Sequence, residues 1–268
     1  MNSVWFAAIL STLIVSLVSF SGVLFLALQP KMLRQLVFIL VSFAVGALFG
    51  NSFFMLIPES YHLIENQQLI GILIVAGILM MFVIEKFIHW RHNHSISHSQ
   101  HHHAPYGYIN LLSDGLHNFT DGIIIAAAWM VSPEAGMATT IAVVLHEVPQ
   151  EISDFGVLTS AGFKRGKALF FNFLSGCAAI LGAVVTLSFG SLASEYSVYI
   201  LPIAAGGFIY LAGSDLIPEL QREKTTRKST IQLIAIIAGL ALMLFVSANH
   251  EHHHGHGPDC QHEHHHHH

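Results

Sequence analysis

The residues of this chain best suited to chemistry sit in two short strings, His117-Asn118-Phe119-Thr120-Asp121 and His146-Glu147-Val148-Pro149-Gln150-Glu151. Asn110 and Asp114 precede the first string, and Asp154 follows the second. Positions 110, 114, 117, 118 and 121 recur at i, i+4, i+7, i+8 and i+11, which at about 100° per residue puts all five on one narrow helical face. His146, Glu147, Gln150, Glu151 and Asp154 cluster on one side in the same way. Imidazole and carboxylate together suit zinc and its first-row neighbours, whereas an all-oxygen set would suit magnesium or calcium better.

The segments carrying these stripes are apolar. Eight long apolar runs, approximately 4–28, 36–57, 69–90, 108–131, 136–162, 168–192, 198–220 and 230–248, can each cross a hydrocarbon core that needs about 20 residues. Of the 268 residues 53% are hydrophobic and 10% charged, against roughly 45–50% and about 25% in soluble domains. The expected fold class is therefore an all-α integral membrane protein with eight transmembrane helices over residues 1–249. A His-rich loop at 89–107 and a His-rich tail at 250–268 complete the division.

The stripes lie on the fourth and fifth runs, and two polar faces on consecutive spans should meet. Asp114, Asp121, Glu147, Glu151 and Asp154 are five carboxylates at membrane depth, each costing about 2.5–3.5 kcal/mol at a helix centre. Neither run contains a Lys or Arg to pair with them, so protons or a bound cation must neutralise them. A single His or Asp in a span is ordinarily a packing hydrogen bond; two facing stripes without a basic partner are not. Pro149 frees the carbonyl of Leu145 and is expected to kink its helix. Both strings fall near mid-span, the depth at which transporters commonly hold substrate.

All eleven Lys and Arg fall in the first, third, fifth and seventh connections, while Glu59, Glu65, Glu134 and Glu195 mark the opposite ones. The positive-inside rule then puts both termini outside the cytoplasm and suggests a multi-pass protein of the plasma (inner) membrane. In that orientation Asp114, Glu151 and Asp154 lie on the cytoplasmic side of the central strings and form a secondary path, with Asp215 of the seventh span as a further candidate. A faint repeat relates Gly46 to Ile57-Pro58-Glu59 with Gly206 to Ile217-Pro218-Glu219, on spans of opposite direction, as an inverted repeat would place them.

Residues 89–103 hold seven His among Ser, Asn and Gln and read as a disordered metal-sampling loop. The five His after Glu263 resemble a purification tag and are set aside. The formal charge of -5 leaves no broad basic face for nucleic acid. Cys177 and Cys260 suggest no disulfide framework. No Walker-type phosphate loop occurs, no resident cofactor is expected, and a homodimer is compatible with the reading. The expected partners are divalent metal ions and the lipid bilayer.

The pair His117-Asn118-Phe119-Thr120-Asp121-Gly122 and His146-Glu147-Val148-Pro149-Gln150-Glu151 resembles the Zrt/Irt-like (ZIP) metal transporters. The likeness extends to eight spans, outside termini and a His-rich cytoplasmic loop between spans three and four. Residues 146–154 are similar to the HExPHExGD signature of one ZIP subfamily, with Gln150 in place of its second His and Ser153 in place of its Gly. The resemblance implies a 3+2+3 arrangement, import of zinc or a related ion toward the cytoplasm, and a central site able to hold two metals. It would make His117, Asp121, His146 and Gln150 ligands of one metal, with Asn118, Asp121, Glu147 and Gln150 around the second. Gln150 is a weaker ligand than His or Glu, and the sixth span offers Ala179 where some relatives supply a Glu. Zinc is thus the expected cargo, with Fe2+, Mn2+ and Cd2+ as further candidates.

Three rival functions follow from the same residues. His146-Glu147-Val148-Pro149-Gln150 approaches the HExxH of an intramembrane zinc metalloprotease, but the second imidazole is missing and Pro149 disturbs the helix. A cation-diffusion-type exporter also combines membrane His and Asp with a His-rich loop, but usually has six spans. A metal sensor without transport would use the same ligands.

Overall fold

The structure, a computed structural model, describes residues 2–96, 104–189, 191–223 and 225–251. Every regular element among the described residues is helical. The chain runs α1 (Asn2–Val18), α2 (Val23–Ala27), α3 (Pro30–Asn51), α4 (Ile57–Leu63), α5 (Gln67–Ile96) and α6 (Ala104–Val131). It continues through α7 (Pro133–Ser160), α8 (Arg165–Gly176), α9 (Ala178–Ser188), α10 (Ser191–Tyr210), α11 (Ile217–Leu220) and α12 (Thr226–Glu251). Among the described residues six stretches are long and apolar enough to cross a membrane: Asn2–Ala27, Pro30–Leu63, Gln67–Lys86, Arg165–Ser188, Glu195–Ser214 and Thr226–Ala248. α6 and α7, at 28 residues each, match them in length and differ by carrying the polar stripes. Phe6, Ile72, Phe170, Ile234 and Phe245 are exposed, as side chains facing lipid would be. The chain is a multi-pass, all-helical integral membrane protein.

The helix ends follow local chemistry. Pro30 and Pro133 open α3 and α7 at positions where a missing N–H costs nothing. The Ser132 hydroxyl caps α7 by accepting from the Ala135 N–H at 3.1 Å. α7 runs unbroken through Pro149 to Ser160 and is closed just beyond by Gly162, whose φ of 91° a side chain would resist. There the Phe163 N–H reaches the Leu158 carbonyl and the Gly162 N–H the Thr159 carbonyl, both at 3.1 Å, a Schellman closure. α5 departs from the expected disordered loop: its backbone stays helical to Ile96, because extending an established helix costs little per residue compared with starting one. The rest of that loop, 97–103, lies outside the described residues, as does the tail beyond Glu251.

Two of the helices widen at matching places. α3 passes into a π-helical turn over Ser52–Leu56 immediately before Ile57-Pro58-Glu59, and α10 into another over Leu211–Leu216 immediately before Ile217-Pro218-Glu219. Proline explains the first, since Pro58 cannot donate to the Phe54 carbonyl and its ring would crowd it. That carbonyl instead accepts a hydrogen bond from the Ser247 hydroxyl of α12 at 2.7 Å.

Glycine seams join the helices in pairs. A methyl on Gly46 would collide with the Ile236 carbonyl, and one on Gly239 with the Phe43 carbonyl, so α3 and α12 touch backbone to backbone. α10 and α5 meet identically, through Gly206 on Ile74 and Gly77 on Ile203. α6 and α9 do so through Gly122 on Ala179 and Gly182 on Phe119. Small residues allow this approach where lipid supplies no hydrophobic drive for helix pairing.

Candidate metal centre

α6 and α7 lie antiparallel with their stripes in contact. At one end Asn110 Nδ2 donates to Asp154 Oδ1 at 3.2 Å. In the middle, His117 Nε2 stands 3.3 Å from His146 Nε2. The expectation that the two polar faces meet is met along this length.

Four side chains converge at the middle: His117, Asp121, His146 and Glu147. His117 Nε2 lies 3.7 Å from Asp121 Oδ2 and 3.4 Å from Glu147 Oε1. His146 Nε2 lies 3.2 Å from Asp121 Oδ2 and 3.4 Å from Glu147 Oε1. With the imidazole pair, these are five edges of a tetrahedron. Four ligands at the zinc bond lengths of about 2.0–2.1 Å would stand about 3.3 Å apart at the corners, so the spacing suits one tetrahedral first-row ion.

The surroundings fix the donors. His146 Nδ1 sits 3.0 Å from the Ala142 carbonyl; a carbonyl only accepts, so Nδ1 carries the hydrogen and, in the neutral ring, Nε2 carries the lone pair aimed at the centre. Phe208 of α10 packs edge-on against the same ring at 6.1 Å between centroids. Asp121, His146 and Glu147 are buried. Asp121 Oδ2 and both Glu147 oxygens have no hydrogen-bond partner. Buried acceptors in that condition are costly, and a cation among them would remove the cost.

A second group joins Asp114, Glu147 and Glu151, one helical turn further along both stripes. Ser19 Oγ donates to Glu151 Oε1 and Asn172 Nδ2 to Glu151 Oε2, both at 2.5 Å. Ser175 Oγ donates to Asp114 Oδ2, and Asn118 Nδ2 to Asp114 Oδ1 at 3.0 Å. Ser19 owes its place to a 3-10 turn after α1, and Asn172 and Ser175 lie on α8 just before the break at Cys177. None of these three donors, nor Phe208, was singled out from sequence. Single Ser, Asn and Phe residues in apolar spans look like packing material.

Of the expected ligands, His117, Asp121, His146 and Glu147 come together, while Asn118 turns its amide to Asp114. Gln150 is half-buried one turn beyond His146; the fourth donor at the centre is Glu147, where the resemblance implied Gln150. Asp154 is tied to Asn110. Asp215 falls in the second π-helical turn, and its side chain lies outside the described residues. Ala179 is fully buried in the seam against Gly122.

A family profile described as ZIP Zinc transporter matches residues 2–107 and 92–247. Zinc transporter ZIP13 of Pongo abelii is 33% identical over 222 residues, 78% of this chain and 66% of that protein. Zinc transporter ZIP13 of Mus musculus is 31% identical over 256 residues, 80% of this chain and 70% of that protein. IAA-alanine resistance protein 1 of Arabidopsis thaliana is 41% identical over 145 residues, 53% of this chain and 31% of that protein. The chain thus spans about two thirds of the length of the ZIP13 relatives. The protease-like string at His146 is accordingly part of a transporter fold rather than of an enzyme, and the chain belongs to the ZIP family of zinc transporters.

Proposed function

We propose that the chain imports divalent metal ions, zinc first, through a site formed by His117, Asp121, His146 and Glu147 on α6 and α7. The observation that carries this reading is the near-tetrahedral spacing of four buried or half-buried ligand atoms, of which the two carboxylate oxygens lack hydrogen bonds. Asn118 and Gln150, the other two expected metal residues, flank these four on α6 and α7. Zinc is favoured over Fe2+, Mn2+ and Cd2+ by two imidazoles in a tetrahedral set.

The direction rests on the distribution of Lys and Arg, which puts both termini outside and the Asp114–Glu151–Asp154 end of the stripes toward the cytoplasm. Those acids then form the exit path, in a plasma (inner) membrane. A 3+2+3 inverted repeat of eight spans is supported by the two π-helical turns before Ile-Pro-Glu and by the glycine seams. The α3–α12 seam corresponds to the α10–α5 seam when the first three spans are exchanged with the last three.

Radiometal uptake into empty proteoliposomes tests the reading, with wild type, His117→Ala and Asp121→Ala compared and other divalent ions as competitors. Uptake by wild type and near-background uptake by both variants is expected. Equal uptake by all three would refute the site, and binding without uptake would favour a sensor.

A further inference from the structure

The polar face of α7 continues past the metal centre, in the direction away from Glu151 and Asp154. Thr139 precedes His146 by nearly two helical turns, so it shares the face of the imidazole and stands about 10 Å further along the axis. It is fully buried. Opposite it on α3 is Asn51, also fully buried, whose Nδ2 donates to Thr139 Oγ1 at 3.4 Å.

Packing alone gives no reason for a polar pair at this place. Ala47 and Met55, one turn to either side of Asn51, form an apolar cluster with Ala135, Ala138 and Ala142 of α7. Asn51 Oδ1 finds no hydrogen-bond partner among the described residues, and an amide oxygen buried in that condition is costly. The π-helical turn over Ser52–Leu56 begins at the next residue, and wide turns of this kind are frequent at functional sites. Ser52 Oγ fixes its start by reaching the Leu48 carbonyl at 2.9 Å and the Ala205 carbonyl of α10 at 3.2 Å. Three residues beyond Ala205, Phe208 packs against His146. Asn51 is therefore held by the same frame that holds the metal centre.

We propose that Asn51 Oδ1 is an entry-side waypoint, a neutral ligand that takes a divalent ion still carrying part of its water shell and passes it on to His117 and His146. This rests on the inward direction proposed above, which puts Asn51 and Thr139 on the extracytoplasmic side of the centre. Thr139 is a positioning residue: by accepting from Nδ2 it keeps Oδ1 free for the ion. A neutral oxygen suits a waypoint, because passage needs sites favourable enough to enter and weak enough to leave. A carboxylate in the same position would hold the ion longer.

The test is radiozinc uptake into proteoliposomes by the full chain as a function of zinc concentration, for wild type, Asn51→Leu, Asn51→Asp and Thr139→Val. Equilibrium zinc affinity is measured on each by competition with a chelator. Asn51→Leu keeps the volume and removes the oxygen, and should raise the half-saturating concentration about tenfold. Equilibrium affinity, set by His117, Asp121, His146 and Glu147, should stay as in wild type. Asn51→Asp should lower both the half-saturating concentration and the maximal rate, since the ion is captured better and released more slowly. Thr139→Val should follow Asn51→Leu to a smaller extent. Size-exclusion elution checks folding, and if Asn51→Leu does not fold, Asn51→Asp decides alone. Half-saturation unchanged by the replacements of Asn51 overturns this inference alone and leaves Oδ1 with a structural water. Half-saturation raised by Leu and Asp alike overturns it too, in favour of a packing role. No uptake by wild type overturns the import reading and this inference with it.

Discussion

His117 and His146 present their Nε2 atoms to each other across 3.3 Å, from consecutive antiparallel helices. Two neutral rings with their hydrogens on Nδ1 would oppose lone pairs at that distance, and carboxylate oxygens stand 3.4 Å from one Nε2 and 3.2 Å from the other. A shared cation converts this repulsion into ligation. X-ray absorption at the zinc edge should therefore report four nitrogen and oxygen ligands at about 2.0–2.2 Å. A sulfur shell or a six-oxygen shell would contradict the arrangement.

Acid should loosen the ion. Coordination needs neutral imidazole and ionised carboxylate, so protons compete with metal at all four ligands. Zinc affinity, measured by competition with a chelator, is expected to fall steadily from pH 7.5 to pH 5.5. Affinity that rose on acidification would require other ligands.

Asn172 is expected to act on stability more than on the metal centre. Its amide reaches Glu151 Oε2 at 2.5 Å and the Ser19 carbonyl at 3.3 Å, holding α8, α7 and the turn after α1 together. Asn172→Ala leaves a buried carboxylate short of one donor, which costs about 1–3 kcal/mol and should lower the thermal midpoint in detergent. Asn172→Asp should lower it further by adding a like charge. A midpoint unchanged in both variants would show the clasp to be unimportant.

The glycine seams give a control within one chain. Gly46→Val and Gly206→Val drive a side chain into a backbone carbonyl and should abolish monodisperse protein, whereas Gly71→Ala meets nothing within 4 Å and should express normally. Equal yields from all three would mean the seams separate without cost.

The stripes were legible because membrane-depth acids without basic partners stand out against an apolar background, and because helical spacing fixes which residues share a face. That the two polar faces meet follows from that alone, whereas the register that sets Asn110 against Asp154 does not. Choosing Glu147 over Gln150 as fourth donor did not. Both project from one turn of α7, and only the angle between the helices decides which one reaches His117. Ser19, Asn172 and Ser175 were hidden for another reason. They reach the acids through a 3-10 turn and a helix break, neither of which leaves a periodic trace in an apolar run. The repeat was faint as four matching residues and became clearer as backbone, through the paired wide turns.

Those wide turns also carry a consequence for length. A π-helical turn holds one residue more than an α-helical turn, so Ser52–Leu56 and Leu211–Leu216 each contain a local surplus. Removing one residue there would let the helix regularise and keep the segment beyond it in phase, whereas removing one from a regular stretch of α3 or α10 would rotate everything beyond by about 100°, swinging Pro58 or Pro218 away from its neighbours. Each of these two helices therefore accommodates the loss of one residue at its wide turn better than the same loss elsewhere along its length.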